Sequence, residues 1–491
     1  MSSAAAPNSS PDPRRANSSS SVDDRLSITL EPDPSGWIRA LEHVSINDEQ
    51  KEARAALGLP TDRPIVMSGH QAGFWHPGIL AKQLAIDALA RRTGACAAWI
   101  VIDTSFSSGL RIEWPRRGPN GLVREVFEPG RNWLLKSLPS HASLKFPRTN
   151  PPPGIDDVER ELANALPTAA TEDAQVAIAN TELLRGRLGT PPPKLLYASE
   201  LSRLDAFDSL VNRMISDPLA CFLAYNDAAE RYPKARVSSL DATYSCSEIL
   251  AHAEERNISF EKAWHLIRRK LVRFELPLWR SLGPSQGGLR VWSDKISNMP
   301  KNLLAPRALM TTAVLRSAAC DLFVHGTGGA LYDKVTEGWI SDWLGTTMPL
   351  APTAMATATL RLGPSTLGDV TLVSDSEFQN AAWRAHTARY RPGLVGDDEA
   401  ERKREDLVRA IQAAPRRSPE RQRLFHALHT FESEHRRVNA DRLEALDREI
   451  DGLRALKHDS DIASDRTWSW WLHADTDLAE LKGRIDAVFG V

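Results

Sequence analysis

The feature that most constrains this chain is a pair of continuous apolar runs flanking a helical pattern between residues 64 and 102. Pro64-Ile65-Val66-Met67-Ser68 is a short apolar run halted by Gly69, which predicts a buried strand ending in a tight turn. After a loop from His70 to Gly78, apolar residues recur at helical spacing from Ile79 to Arg92, and Thr93-Gly94 ends the helix. Ala97-Ala98-Trp99-Ile100-Val101-Ile102 is the second apolar run. Strand, helix and strand at this spacing make a βαβ unit with parallel strands buried on both faces. Ligands of such sheets bind at the carboxyl ends of strands, which selects Ser68 to His76 and Asp103 to Ser105.

A second unit of the same kind is expected from Pro306 to Leu344. A helix reaching Ala319 precedes the apolar run Asp321 to His325, and the turn Gly326-Thr327-Gly328-Gly329 opens a helix from Ala330 to Leu344. The stretch between the units carries Pro-rich connectors at Pro151-Pro152-Pro153 and Pro191-Pro192-Pro193 and a helical pattern from Glu261 to Phe274. It reads as an inserted helical region. From Gly396 the chain becomes charge-rich, and Leu424, Leu428, Phe431, His435, Val438, Leu446, Ile450 and Leu453 largely follow steps of three and four, as in a coiled-coil seam. Pro415 separates that seam from a helix at Asp397 to Ala414, so an antiparallel helical hairpin fits equally. The expected class is α/β, a Rossmann-like parallel-sheet core with an inserted helical region and a C-terminal coiled-coil or helical-hairpin arm. The expected division is a disordered segment over 1–25, core over 26–124 and 301–395, the inserted region over 125–300, the arm over 396–460, and over 461–491 a segment docking on the core.

With 491 residues the chain is long enough for a large core in more than one structural unit. Its 61 basic and 63 acidic side chains leave a net charge of −2, so no global field favours nucleic acid or an anionic membrane. Any anion site must be local. Cys96, Cys221, Cys246 and Cys320 lie far apart without a CxxC pair, which argues against a disulfide framework and a structural zinc. No apolar run approaches the roughly 20 residues of a membrane span. Met1 to Ser21 is rich in Ser, Pro and Ala without a signal peptide's apolar stretch, so a cytoplasmic protein is expected.

The loop Gly69-His70-Gln71-Ala72-Gly73-Phe74-Trp75-His76-Pro77-Gly78 is the most informative stretch. Gly69, Gly73 and Gly78 let backbone N–H groups approach an anion, and the helix N-terminus adds about half a positive charge. His70 and His76 beside it suit a triphosphate whose charge develops during adenylyl or acyl transfer; the alternative is that both merely cap and pack the turn. Asp103, Thr104 and Ser105 follow the next strand, where a carboxylate serves as a base or orients a ligand, or simply satisfies a turn. His325, Gly326, Gly328 and Gly329 repeat the same physics, with Tyr332 and Asp333 early in the next helix. Arg307 follows a proline at a helix start, where a guanidinium reaches a carboxylate or phosphate. Arg268, Arg269, Lys270 and Arg273 read as a solvated helix face, and Trp468, Trp470 and Trp471 as aromatics docking a tail on the core rather than a sugar platform.

Ile65 to Gly73, followed by Pro77-Gly78 and a helix carrying Lys82, resembles the Gly-Gln-Gln-x-Gly signature of the cysteine-adding enzymes of bacillithiol biosynthesis, the BshC family. Asn302 to Arg307 is similar to that family's Arg-Pro segment, and Gly326 to Tyr332 to its Gly-Gly-Pro-x-Glu-x-x-Tyr turn. These matches fall in order from about Glu42 to Leu456. The chain departs from the pattern in three places. His70 replaces the first Gln, Ile102-Asp103-Thr104-Ser105 replaces an acidic Glu-Asp-His-Asp stretch, and the late Glu is missing with Asp333 only nearby.

The resemblance implies a cytoplasmic ligase or amide-forming enzyme that adds an amino acid, cysteine in the family, to an amine-bearing small molecule. His70, His76 and the Gly69, Gln71, Gly73, Gly78 loop, with Gly326, Gly328 and Gly329, would hold ATP, ADP or an activated carboxylate. Asp103 and Asp333 would orient the amine, and Ser105, Arg307, His325 and Tyr332 would contact substrate. No metal, nucleic acid or membrane partner is expected, and a homodimer through 418–456 is. The competing readings are a nucleotidylyltransferase and a non-catalytic binding or assembly protein.

Overall fold

The computed structural model describes residues 25–104, 110–127, 151–244, 272–281, 288–345 and 348–491, with positions 254, 255, 259 and 262 among them. Its strands are β1 (Leu26–Glu31), β2 (Ile65–His70), β3 (Cys96–Val101), β4 (Ile112–Gly118), β5 (Gly121–Phe127) and β6 (Lys194–Tyr197). They continue with β7 (Ala242–Tyr244), β8 (Val272–Ser281), β9 (Gly288–Trp292), β10 (Leu304–Pro306), β11 (Leu322–His325) and β12 (Thr353–Leu360). The helices of more than one turn begin with α1 (Pro34–Glu42), α2 (Asp48–Ala56), α3 (Pro77–Thr93), α4 (Ile155–Ala165), α5 (Glu172–Leu188), α6 (Asp205–Ser216) and α7 (Pro218–Arg231). They continue with α8 (Ala308–Val314), α9 (Thr327–Leu344), α10 (Asp375–Thr387), α11 (Asp398–Ala413), α12 (Pro419–Val438), α13 (Ala440–Ser464) and α14 (Asp475–Phe489).

This is a mixed α/β protein whose main sheet runs in the order β1-β12-β11-β2-β3-β6. Neighbours from β12 to β6 are parallel, and only β1 is antiparallel, on the edge. The continuous apolar runs are explained by burial on both faces. Ile65 and Met67 join one apolar cluster with α7, α8 and α9, while Val66 joins the other with α3, α5 and the C-terminal tryptophans. From β2 the chain passes through α3 to β3 on one side, and from β11 through α9 to β12 on the other. The strand order therefore reverses between β2 and β11, and such a reversal opens a crevice at the carboxyl ends of the two strands.

The opposite ends of the same strands are locked by one buried ion pair. Asp321 accepts the Ile65 N–H at 2.7 Å and Arg54 Nη2 at 2.7 Å, with both side chains almost fully buried. Higher up, Ser68 Oγ donates to the Val324 carbonyl at 2.6 Å. The strands that flank the crevice are thus tied at two levels.

The region 125–300 differs from the expected helical insertion. It supplies β6, an edge strand of the main sheet, immediately after the proline triplet. It also supplies β7, β8 and β9, which with β10 form an antiparallel sheet. Val272, Arg273 and Phe274, expected at the end of a helix, open strand β8 instead. Pro277 sits where the β8–β9 register shifts, as a residue without an N–H requires. Residues 1–24, Cys246, Ser105 and nearly all of the Glu261 to Leu271 pattern, with Arg268, Arg269 and Lys270, lie outside the described residues.

In the helical C-terminal region the expected seam from Leu424 to Leu453 is divided at Asn439, between α12 and α13. Leu443, Leu446 and Ile450 pack on Ala385 and Ala388 at the end of α10, within the same chain. Val438 is left 64% exposed, and His435 is buried with Nε2 2.8 Å from the Ala388 carbonyl. The tail returns to the core. Trp470 N–H donates to the Trp75 carbonyl at 2.7 Å, Ser469 Oγ to the Phe74 carbonyl at 2.7 Å, and Trp470 Nε1 to Asn180 Oδ1 at 2.8 Å. The first glycine loop is thereby held from behind. Among the described residues no helix is long and apolar enough to cross a membrane.

Candidate functional site

The site is built from the loops that leave β2 and β11 on either side of the strand reversal. Gly69 belongs to β2 itself, and a Cβ there would lie 2.1 Å from Ile100 Cγ2 and 2.4 Å from the Ile100 carbonyl oxygen. Its glycine is demanded by the neighbouring strand. Gly78 is similarly explained, since a Cβ would meet the His76 ring at 2.8 Å and the Ala358 carbonyl at 3.0 Å. Gly326 and Gly328 are open by comparison: the first would meet only Lys82 Cδ at 3.8 Å, and the second nothing within 4 Å.

The two helix N-termini differ as well. His76 caps α3, its Nδ1 accepting the Gly78 N–H at 3.1 Å, so the ring proton sits on Nε2. Gly326 caps α9 without a side-chain hydrogen bond of its own, and among the described residues no side chain accepts from the amides of Thr327, Gly328 and Gly329. The open anion-binding end of a helix dipole is therefore that of α9.

Lys82 projects from the second turn of α3 into the space between these loops. Its Nζ donates to the Gly69 carbonyl at 2.6 Å, and it lies 5.1 Å from the Trp99 ring centroid. The side chain is 4% exposed and no carboxylate pairs with it among the described residues. Burial lowers its pKa from 10.5 to about 7. His70, half-buried at the end of β2, donates Nδ1–H to the Gln71 carbonyl at 3.2 Å. Burial, and then the nearby Lys82 charge, lower its pKa to about 3, so His70 stays neutral with a lone pair on Nε2. His76 is lowered too, by burial and then by Arg466 and Lys82. Gln71 is exposed, and its carbonyl also accepts Trp75 Nε1–H at 2.9 Å.

Across the crevice His325 ends β11, its ring against Phe323 and its Nε2 3.0 Å from Asp333 Oδ2. Arg316 Nη1 reaches the same carboxylate oxygen at 2.5 Å. Burial pushes the Asp333 carboxyl up, but the His325 hydrogen bond and the His325 and Arg316 charges outweigh it, and the net displacement is downward. Asp333 is 2% exposed. It was expected to orient an amine substrate; it is committed instead to an internal Arg–Asp–His chain, because the second turn of α9 packs against the Leu315–Ala319 π-helical turn that carries Arg316.

Asp103 also has an internal partner. Its Oδ1 accepts the Ser199 N–H at 2.9 Å and its Oδ2 the Ser199 hydroxyl at 2.5 Å, which ties the end of β3 to the end of β6, away from β11. Burial raises its pKa. Arg307 reaches a carboxylate of the protein itself. Its Nη2 pairs with buried Glu275 at 2.5 Å and its guanidinium stacks 3.9 Å from the Trp279 ring, so it braces the antiparallel sheet. Tyr332, partly buried on α9, has its phenol pKa raised by burial against the pull of Arg307.

The structure thus gathers Gly69, His70, His325, Gly326, Gly328 and Gly329 about the strand reversal, with Asp333 directly behind the His325 ring, and sets Asp103 and Arg307 on other partners. Lys82 joins them, its Nζ on the Gly69 carbonyl and its Cδ beside Gly326. The available signal was a lysine within Leu80-Ala81-Lys82-Gln83-Leu84-Ala85 on a helix buried on nearly every side. A cavity of about 520 Å³ beside α2 and α6, lined by Asn47, Arg203, Asp205, Arg213 and Ser317, lies apart from these loops. Among the described residues no three His, Cys, Asp or Glu side chains group as metal ligands.

No protein-family model matches the chain, and no curated protein matches it.

Proposed function

We propose that this chain is an enzyme of the ligase type, with a Rossmann-like core, that holds a nucleotide or activated carboxylate between the loops after β2 and β11 and couples it to an amine-bearing small molecule. The observation that carries the reading is Lys82, a buried ammonium without a carboxylate partner among the described residues, lying between Gly69 and the N-terminus of α9. An uncompensated buried charge is costly, and an incoming phosphate or carboxylate would neutralise it. The same anion would meet the α9 amides, and the His76 Nε2–H supplies a further donor nearby.

The short motifs that resemble the bacillithiol cysteine-adding family point to amide formation as the chemistry, with an amino acid as acyl donor. With Asp103 held by Ser199 and Asp333 engaged by His325 and Arg316, the proton-handling groups of the crevice are its histidines. ATP or ADP is the proposed nucleotide, and the charge-rich helices over 418–456 are the proposed homodimer contact. A binding protein without turnover is the second reading, favoured by the commitment of both carboxylates to internal partners.

Calorimetric titration with ATP and ADP tests the proposal. Wild-type protein should bind, and Lys82→Met should weaken binding about 10- to 100-fold, the worth of one charge-assisted hydrogen bond. Absence of binding by the wild type, or an unchanged affinity in the variant, rejects the nucleotide site. Pyrophosphate or phosphate release that requires an added amine selects ligation over nucleotidyl transfer, and binding without release selects the binding protein.

A further inference from the structure

We propose that His325 is the proton acceptor of the crevice, acting through Nδ1, and that Asp333 and Arg316 are positioning residues that fix its ring. The inference rests on the reading of the crevice as a place where an amine attacks an activated carboxylate.

The argument begins with the hydrogen bond between Nε2 and Asp333 Oδ2 at 3.0 Å. An ionised carboxylate only accepts, so Nε2 carries a proton in either charge state of the ring. The His325 hydrogen bond and charge, and then the Arg316 charge, hold the Asp333 carboxyl below its usual range, and the Arg316 side chain is itself 2% exposed and fully engaged. Its Nη1 meets Asp333, its Nη2 meets Glu337 at 2.8 Å and its Nε donates to the Ala351 carbonyl at 2.7 Å. The ring cannot turn without breaking this chain. The nitrogen left to exchange a proton is Nδ1, which has no hydrogen-bond partner among the described residues.

Gly329 says where Nδ1 faces. A Cβ on Gly329 would lie 2.7 Å from Nδ1, so any side chain there would cover it. Gly329 has ordinary negative φ inside α9, where glycine costs about 1 kcal/mol relative to alanine. Backbone geometry gives no reason for it; the close approach of the His325 ring, 9% exposed, does. Nδ1 accordingly looks onto the first turn of α9, whose amides are the open anion site, and Gly328 beside it borders empty space. An acyl group activated by phosphate and seated on those amides would present its carbon within reach of an amine next to Nδ1. As the amine nitrogen bonds to that carbon, the carbon–oxygen bond to phosphate breaks and its electron pair leaves on the phosphate oxygen. The proton lost by the nitrogen passes to Nδ1, and Asp333 stabilises the resulting imidazolium.

Diethyl pyrocarbonate, which acylates accessible unprotonated imidazole nitrogens, tests the assignment when modified peptides are quantified by mass spectrometry. His325 should react in the folded protein at neutral pH while His473, 2% exposed, does not. Gly329→Ala should slow the reaction of His325 at least tenfold with unchanged circular dichroism. In ¹⁵N-histidine spectra the wild type should show the unprotonated nitrogen at Nδ1, and Asp333→Asn should move it to Nε2. An unreactive His325, a Gly329→Ala protein that reacts at the wild-type rate, or an unchanged tautomer in Asp333→Asn overturns the proposal. If these results hold while ATP gives His325 no protection, the proton acceptor stands and the nucleotide reading falls.

Discussion

Replacing Lys82 by methionine should make the empty protein more stable, by an amount that depends on pH in a calculable way. Burial holds the Lys82 pKa near 7, against 10.5 for an exposed lysine. Because the folded value is the lower one, the unfolded chain binds the extra proton between these limits, and stability rises with pH through that window. Below about pH 7 the ammonium is charged in both states and its burial cost is fully present; above 10.5 it is neutral in both and the cost is gone. At 1.36 kcal/mol per pH unit the full cost is about 5 kcal/mol, of which about 2 kcal/mol remains at pH 9. The variant also loses the bond to the Gly69 carbonyl, worth about 1 kcal/mol. Lys82→Met should therefore exceed wild type by about 3–4 kcal/mol at pH 6 and about 1 kcal/mol at pH 9. Urea unfolding of both proteins at pH 6, 7.5 and 9, without nucleotide, measures the difference. A difference that is flat across pH, or a variant less stable at pH 6, would refute the claim that this lysine is a buried charge awaiting a partner.

Two other perturbations probe the framework of the crevice. Gly69→Ala forces a methyl group into Ile100 and its carbonyl oxygen, so the β2–β3 pair must separate and about 1–3 kcal/mol or more of stability should be lost, an expectation that an unchanged melting temperature contradicts. His473, enclosed behind the tryptophan segment, has its pKa lowered to about 3 by burial and by Arg25 and Arg187. The unfolded chain binds a proton near pH 6.5 that the folded one refuses, so this group's contribution falls by up to about 1.4 kcal/mol per pH unit on acidification from pH 6.5 towards 3. His473→Leu should move the acid transition of tryptophan fluorescence to lower pH, and an unmoved midpoint would exclude His473 as its cause.

The strand-loop-helix units were legible because their signals are local. Continuous apolar runs bounded by glycine describe β2, β3 and β11 to within two residues, and the helical spacing after each loop describes α3 and α9. β6 and β8 were not legible. Four residues behind a proline triplet carry too little pattern, and β8 contains a proline that only its register shift accommodates. The seam from Leu424 to Leu453 kept its spacing across a helix break, since the step count is indifferent to the turn at Asn439.

The candidate site divided along the same line. Which loops border the site follows from the order of strands and glycines in the chain, and His70, His325 and the glycines between them needed no coordinates to be singled out. Their roles are set by tertiary packing. Glycine at 69 could be read as room for a phosphate until Ile100 was seen to fill the space, and at 329 as a turn residue until the His325 ring was found against it. Asp103 and Asp333 looked free because the residues that engage them, Ser199 and Arg316, come from distant or unsuspected turns. The amino-acid sequence alone determined the βαβ units and the pair of glycine loops, because periodicity and turn chemistry act over neighbouring residues. Only the tertiary structure decided that Lys82 is the buried charge between those loops, because burial is a property of packing.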